Sequence, residues 1–347
     1  MKRIIFSLLT IAFFGCSAGP PTEKSRLDMQ AILDARPPDL AVSDMAKGRL
    51  DGGVPDAHQT LDSQLSGCPG VYGAAQERAT PQYEQLGEVS GIAPSRSRPN
   101  LLWLHNDSGH DPVLYAVGTD GRQRGQITVS GSSVDWEDIA TADCPDGQGP
   151  CIWIGDIGDN GRSRAQVEVI AVREPREDGD GRGEQIWRFP VRYPDVAHDA
   201  EALVVSPQGD RFWIFEKTEN DQVRVFEHAG PLVHGETSIL REIVRFPAPG
   251  VAIDRGKMVT AADLHPSGLR LLIRVYTGSY EYRLNSPLAL DSLHEIEPTI
   301  VAFGPLSEPQ GEAVAYDEHG LGVWTISEDP AGTTTQALHY YPCNQDP

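Results

Sequence analysis

Three glutamates, a serine and a threonine occupy one equivalent place in five similar segments of the chain. The segments read VSGIA, WEDIA, AEALV, VTAADL and GEAVA, and the equivalent residues are Ser90, Glu137, Glu201, Thr260 and Glu312. Three carboxylates that face one another repel unless they hold protons or a cation. An oxygen-rich cage of carboxylates and hydroxyls is what Ca²⁺ prefers. The pattern predicts one axial Ca²⁺, and the alternative is a wide, wet channel with solvated carboxylates.

Each of these segments opens a unit of short apolar strands that recurs about every 50 residues. In the unit at 199–227, a strand at 200–205 leads through the turn SPQGD into a second strand at 211–216. A polar turn and an alternating strand follow. Short strands separated by turn signals indicate antiparallel sheet. This period, with several strands in each repeat, favours a β-propeller over a β-sandwich.

The predicted fold is all-β, a propeller of five blades, with six as the alternative. The fifth blade starts at Glu312, contains the strands GVWTISE and ALHYYP, and lacks an outer strand. The segment 76–87 precedes the first blade and has no other assignment. We therefore predict that this N-terminal segment supplies the missing strand and closes the ring, so that no sheet edge stays exposed.

The five ring positions resemble those of the calcium-activated nucleotidase (apyrase) family of five-bladed propellers, in which a serine/glutamate/glutamate/serine/glutamate ring holds one central Ca²⁺. The resemblance implies the same ion for Ser90, Glu137, Glu201, Thr260 and Glu312. Thr260 stands where the family has a serine but keeps the oxygen. The family's nucleotide-binding residues cannot be placed on this chain, so nucleoside-diphosphate hydrolysis does not follow. The HND and AEAL segments also resemble the phytase-like propellers, at the level of fold only.

The second strand of each unit ends in polar residues, which a propeller would place around one mouth of its channel. A ring of mixed charge there would suit a polar, anionic ligand. The acid/base candidates are His105, Asp107, Asp156 and Glu328. The binding candidates are Asn106, Asp159, Lys217, Arg274 and Tyr276, of which Lys217 and Arg274 could hold a phosphate or carboxylate. The alternative is that NDSG and GDIGDN are turns whose Asn and Asp side chains bond to their own backbone.

The first sixteen residues resemble a bacterial lipoprotein signal. Two cations and an apolar run precede Gly15-Cys16, which makes Cys16 the predicted lipidated residue of the mature chain. An ordinary signal peptide with a chance cysteine is the alternative. Ser17 gives no aspartate-type retention signal, so we expect an outer-membrane lipoprotein, and otherwise a periplasmic or secreted protein. Residues 17–67 are acidic and proline-rich without aromatic residues, which predicts a disordered tether before a propeller domain at 68–347.

The four remaining cysteines form an even set in an exported chain, where disulfides persist. Cys144 and Cys151 bracket a short turn, and Cys68 and Cys343 stand at the two ends of the predicted propeller. Pairing them in this way would join the ends of a closed ring. Other pairings remain open, since four cysteines allow three connectivities.

The 347-residue chain has a formal net charge of −21, which argues against nucleic acid and anionic membrane surfaces as partners. We expect a monomer that meets the membrane only through its lipid anchor and binds a small anionic ligand or an envelope component. One hypothesis is a metal-dependent hydrolase of a phosphorylated or other anionic small molecule. A second is a non-catalytic scaffold with a structural Ca²⁺, and a third is a glycosidase with paired carboxylates.

Overall fold

In the computed structural model, short strands dominate the residues that are described. The residues described are 68, 71–131, 133–228, 230–253, 255–303, 308, 310–329 and 334–344. The predicted lipidation at Cys16 and the tether at 17–67 lie outside them. Within this part of the chain, no helix has the length and apolarity that a membrane crossing requires.

The strands of the described residues form five sheets, which confirms the predicted five-bladed propeller. Two N-terminal strands are β1 (Val71–Tyr72) and β2 (Gln76–Ala79). Blade one contains β3 (Val89–Pro94), β4 (Leu101–Asn106), β5 (Val113–Gly118) and β6 (Gln123–Thr128). Blade two contains β7 (Trp136–Asp143), β8 (Pro150–Asp156), β9 (Val167–Arg173), the short β10 (Gly181–Arg182) in a connection, and β11 (Ile186–Arg192).

The remaining blades repeat this arrangement. Blade three contains β12 (Ala200–Val205), β13 (Phe212–Glu216), β14 (Gln222–Glu227), the short β15 (Ser238–Ile239) in a connection, and β16 (Arg241–Pro247). Blade four contains β17 (Val259–Leu264), β18 (Arg270–Val275), β19 (Gly278–Arg283), a 3₁₀ helix (Leu290–Glu295) and β20 (Thr299–Phe303). Blade five contains β21 (Gln310–Tyr316), β22 (Gly322–Glu328) and β23 (Leu338–Asn344).

The first strand of each blade is the innermost. Neighbouring inner strands contact one another in the order β3, β7, β12, β17, β21 and back to β3. The apolar side chains of the sheets fill the space between blades, and the second-strand tryptophans Trp103, Trp153 and Trp213 are fully buried there. Burial of this apolar surface is the main stabilising term, and it fixes the inner strands around one axis.

The ring closes as predicted, with a difference in detail. Both β1 and β2 pair antiparallel with β23 and complete blade five. Two short strands therefore do what we predicted for one segment at 76–87, and the first of them begins earlier. The Cys68–Cys343 disulfide, with the two Cα atoms 5.5 Å apart, joins the ends of the ring, and Cys144–Cys151 closes the turn between β7 and β8. Both predicted pairings are confirmed, and they indicate an oxidising, extracytoplasmic compartment.

Two further strands were not predicted. The strand β10 leaves blade two and pairs in parallel with β6 of blade one, and β15 leaves blade three and pairs in parallel with β11 of blade two. Each covers the outer edge of the preceding blade. Strands of two residues carry no hydrophobic period, so the sequence gives no signal for them.

Candidate functional site

The five ring residues found in the sequence lie at the same structural position in all five blades. In each inner strand, the pairing with the second strand skips one residue. Such a β-bulge leaves its extra residue out of the ladder and re-aims its side chain. The skipped residues, here called the axial ring, are Ser90, Glu137, Glu201, Thr260 and Glu312.

The two hydroxyls of the axial ring connect neighbouring inner strands. Ser90 Oγ donates a hydrogen bond to the carbonyl oxygen of Glu137. Thr260 Oγ1 donates to the carbonyl oxygen of Gly311 at 2.8 Å. These bonds join blade one to blade two and blade four to blade five, so the two hydroxyls have a structural role whatever else they bind.

A second ring lies one step toward the mouth of the channel. In each blade, the inner-strand residue just before the bulge pairs with a residue of the second strand. The residues that directly follow these second-strand partners along the chain are therefore equivalent in the five blades. These residues, here called the mouth ring, are Asp107, Ile157, Lys217, Tyr276 and Glu328. All except the buried Ile157 are partly exposed, so this end of the channel is open to solvent.

The cation of the mouth ring, Lys217, reaches into the axial ring. Its ammonium donates a hydrogen bond to Glu201 Oε1, and its Nζ lies 5.5 Å from the centre of the Tyr276 ring. Burial by itself lowers the pKa of the Lys217 ammonium, but its carboxylate neighbours, above all Glu201, outweigh this effect and hold the pKa well above its usual value. Lys217 is therefore protonated, and its charge also interacts with Glu312 and Glu137.

The carboxylates around this lysine are too many for one ammonium to neutralise. Burial raises the pKa of Glu137 and Glu201 well above the usual range, and neighbouring carboxylates add to the effect. Burial also raises the pKa of Glu312 and of Glu328 to about 8, with further contributions from neighbouring acids. Because like charges at close range cannot all ionise, this end of the channel holds protons at neutral pH unless another cation binds.

One group of carboxylates has the spacing of a metal site. Asp107, Asp135 and Glu137 each offer one oxygen, and these oxygens lie within 4.8 Å of one another. Glu137 belongs to the axial ring and is buried, whereas the two aspartates are partly exposed. Burial and the charge of Asp107 raise the pKa of Asp135 to about 6. Hard oxygen ligands at this spacing fit Ca²⁺, and we call these three residues the acid triad.

The connection after β8 holds Asp135 in place. Asp156 accepts hydrogen bonds from the backbone N–H groups of Val134 and Asp135 at 3.0 and 3.1 Å. Arg164 donates to Asp156 Oδ1 at 2.7 Å and to the carbonyl oxygen of Gly158 at 2.6 Å. A Cβ atom at Gly158 would collide with the carboxylates of both Asp135 and Glu137. Glycine is therefore required where the backbone passes this close to the acid triad.

Several predicted site residues lie elsewhere. His105 is fully buried, packs edge-on against Trp136, and has its pKa lowered to about 4 by burial. Arg274 is also buried, and its guanidinium pairs with Glu308 at 3.1 Å. The strand register explains both placements, because these two residues are equivalent to Phe215 and Ile326 of the other blades, which pack between sheets. Neither His105 nor Arg274 faces the mouth.

The polar loop residues bond to backbone groups. Of Asn106 and Asp159, only Asp159 does so close to its own turn, as the turn alternative predicts, because the partners of Asn106 lie 18 and 21 residues away along the chain. Asn106 accepts from the N–H of Glu88 at 3.3 Å and donates to the carbonyl oxygen of Gln85 at 2.6 Å. Asp159 accepts from the N–H of Arg164 at 2.7 Å. With Asp156, these side chains stabilise the connections that carry the site instead of lining it.

Comparison with known proteins adds little to this geometry. No protein-family model matches the chain, and no curated protein matches it. Among solved structures, a chain of a mitotic checkpoint complex matches with a TM-score of 0.35 and 13% identity, over 73% of this chain and 63% of that one, less than two thirds of its length. A gluconolactonase from Xanthomonas campestris matches with a TM-score of 0.41 and 12% identity, over 80% of this chain and 98% of that one. The propeller assignment rests on the five sheets themselves.

One member of the acid triad, Asp135, is not among the site residues predicted from the sequence. Asp135 stands two residues before Glu137 in the segment VDWEDIA, within the motif that was used to align the blades. The other blades have Glu88, Asp199, Met258 and Gln310 at the corresponding place. Polar residues therefore occupy the position two places before the axial ring in four of the five blades, and this recurrence is the sequence signal for Asp135.

Proposed function

We propose that this protein is a divalent-cation-dependent hydrolase of the cell envelope that acts on a phosphorylated or other anionic small molecule. The observation that carries the proposal is the acid triad, in which Asp107, Asp135 and Glu137 present three oxygens within 4.8 Å at the open end of the channel. The mouth ring contains a single cation, Lys217, and that cation is bonded to Glu201. An anionic substrate would be repelled from these carboxylates unless a metal ion lay between them.

The acid triad fits Ca²⁺ in the chemistry of its donors, which are all carboxylate oxygens. Bound there, the ion would supply positive charge to the phosphate oxygens of a substrate and lower the pKa of a bound water. Of the axial ring, Glu137 would then be a direct ligand. The remaining ring oxygens of Ser90, Glu201, Thr260 and Glu312 would complete the acidic wall behind it.

Residues of the chain can serve the proton transfers of a hydrolysis. The pKa of Glu328, raised to about 8 by burial and by neighbouring acids, keeps a proton on this carboxyl at neutral pH. A partly exposed carboxylic acid at the mouth could give that proton to a leaving oxygen. Asp107, a partly exposed member of the acid triad, could accept a proton from an attacking water.

The test is Ca²⁺ binding and turnover by the full chain after treatment with a chelator. We expect calorimetry to detect Ca²⁺ binding, and phosphate release from a panel of phosphomonoesters and nucleoside diphosphates to require the ion. Asp135→Asn should weaken Ca²⁺ binding by about tenfold or more and reduce turnover with it, because a ligand charge is lost. Asp111→Asn, an exposed aspartate outside the site, is the matched control. Ca²⁺ binding without turnover of any substrate would refute the enzyme, and no binding would refute the metal site.

The second candidate is a non-catalytic envelope propeller with a structural cation. It is favoured by the burial of the axial ring and by the hydroxyls of Ser90 and Thr260, which connect neighbouring blades. In that case Ca²⁺ should raise the melting temperature, Asp135→Asn should abolish that rise, and neither wild type nor Glu328→Gln should turn over any substrate. The hydrolase predicts instead that Glu328→Gln lowers turnover and shifts its pH profile while Ca²⁺ binding persists.

The site would lie outside the cytoplasm, tethered to a membrane through Cys16. The two disulfides support an oxidising compartment, and the Gly15-Cys16 signal supports lipidation. Cells fed a labelled fatty acid should transfer the label to the wild-type chain and not to Cys16→Ala, which should also leave the outer-membrane fraction. Equal labelling of both proteins would exclude Cys16 as the anchor.

A further inference from the structure

The sequence of the axial ring predicts a metal ion at its centre, but the structure already places a positive charge there. Lys217 follows β13 directly, and its side chain is 13% exposed. Its ammonium is hydrogen-bonded to Glu201 and lies against the face of Tyr276. The ammonium therefore sits inside the channel and not on its rim.

The surroundings of the ammonium are those of a cation site. An ammonium has three N–H donors, and Lys217 meets the carboxylate of Glu201 and the ring of Tyr276, with the charges of Glu312 and Glu137 close by. All three glutamates of the axial ring thus interact with one charge. The equivalent positions of the mouth ring carry Asp107, Ile157, Tyr276 and Glu328, so blade three alone contributes a cation to it.

We infer that Lys217 is the built-in cation of the axial ring, and that its tethered ammonium takes the central place that the ring composition predicts for a metal ion. In the proposed function, on which the second half of this inference rests, the ammonium confines the divalent ion to the acid triad at the junction of blades one and two. A tethered cation has a high effective concentration at its site, so Ca²⁺ cannot enter the axis without displacing the Lys217 side chain.

Removal of the ammonium should open the axis to metal. The informative variant is Lys217→Met, which keeps an unbranched side chain of nearly the same length and removes its charge. Lys217→Arg keeps the charge, and Lys257→Met is the matched control because Lys257 pairs with the exposed Asp221 on the surface. Calorimetry with Ca²⁺ alone and thermal melting with and without chelator should be measured for each full-length protein.

We expect Lys217→Met to melt at a lower temperature than wild type in chelator and to recover with Ca²⁺, while binding one Ca²⁺ more than wild type. Lys217→Arg and Lys257→Met should keep the wild-type stoichiometry. If wild type binds no Ca²⁺ and Lys217→Met binds one, the acid triad fails as a metal site but the axial role of Lys217 stands. If Lys217→Met gains no Ca²⁺ and melts like wild type in chelator, the inference is overturned.

A variant that fails to fold would not end the test. The double variant Glu201→Gln/Lys217→Met removes one charge of each sign, and should therefore recover stability in chelator without gaining a Ca²⁺ ion. If this double variant folds no better than Lys217→Met, or binds the extra Ca²⁺, then Lys217 does not act as the counter-ion of the axial ring.

Discussion

At the scale of single residues, the site consists of carboxylates that lie so close together that they cannot all be ionised at once. The pKa of Asp135 is raised to about 6, and those of Glu312 and Glu328 to about 8, in each case first by burial. An acid whose pKa is higher in the folded than in the unfolded chain holds extra protons when folded. Its contribution to stability is fully present below the unfolded pKa and is lost as the pH rises through the folded pKa.

We therefore predict that the metal-free protein loses stability as the pH rises from about 5 to 8, by about 2 kcal/mol or more. Ca²⁺ should flatten this dependence, because a bound cation takes over from the protons. The measurement is urea denaturation of the full chain across this pH range, with chelator and with Ca²⁺. Glu308 has the opposite effect on the pH dependence of stability, because the charge of Arg274 outweighs burial and lowers the pKa of Glu308 to about 2. Its contribution to stability is lost only at a pH below this range. A stability that rises with pH in chelator would contradict the crowding of these acids.

The close approach of Gly158 to the acid triad can be tested by adding a methyl group at this position. A methyl group at this position would collide with the carboxylates of Asp135 and Glu137. We expect Gly158→Ala to destabilise the metal-free protein by about 1 to 3 kcal/mol and to weaken Ca²⁺ binding. The matched control is Gly181→Ala on the outer edge of the propeller, where a Cβ would meet open space. Equal Ca²⁺ affinity in the two variants would show that the triad does not bind the ion.

At the scale of strands, a buried aspartate beside the axial ring connects three blades. Asp138 on β7 accepts hydrogen bonds from the N–H groups of Leu203 at 2.9 Å and Ala262 at 3.2 Å, on the inner strands of blades three and four. Its other oxygen accepts from the N–H of Ile139 at 2.9 Å. The sequence places Asp138 next to Glu137, but no strand pattern indicates a bond that crosses the axis.

Asp138→Ala should cost about 3 to 5 kcal/mol of unfolding free energy, because it leaves buried N–H groups unsatisfied at about 1 to 3 kcal/mol each. Asp138→Asn should cost less, since the amide oxygen can still accept from Leu203 and Ala262. Chemical denaturation of both variants beside Asp111→Ala measures the difference. If Asp138→Ala unfolds at the wild-type denaturant concentration, the bonds across the axis contribute nothing.

At the scale of the whole molecule, the ring depends on how its two ends are joined. The strands β1 and β2 supply the outer edge of blade five, and Arg270 of blade four donates a hydrogen bond to the carbonyl oxygen of Cys68 at 3.0 Å. The Cys68–Cys343 disulfide spans a sequence separation of 275, whereas Cys144–Cys151 spans 7. The longer loop loses more freedom in the unfolded chain when it is cross-linked.

Replacement of Cys68 and Cys343 by serine should lower the unfolding free energy by about 4 to 5 kcal/mol. The matched pair Cys144→Ser/Cys151→Ser should lose less, because the loop that it closes is short. Denaturation curves of the two double variants under non-reducing conditions provide the comparison. Equal losses would mean that the joining of the ends adds nothing beyond β1 and β2.

The sequence by itself determined the repeat and the equivalence of Ser90, Glu137, Glu201, Thr260 and Glu312. It also predicted the five blades, the closure and both disulfides, while six blades and other cysteine pairings stayed open. All of these depend on local periodicity and on residue types that recur at a regular spacing. Only the tertiary structure decided that Asp135 joins Asp107 and Glu137, that His105 and Arg274 turn into the core, and that the ammonium of Lys217 enters the axial ring. The physical reason is that a one-residue change of register moves a side chain to the other face of a strand, and that long side chains meet across blades in ways that spacing along the chain does not encode.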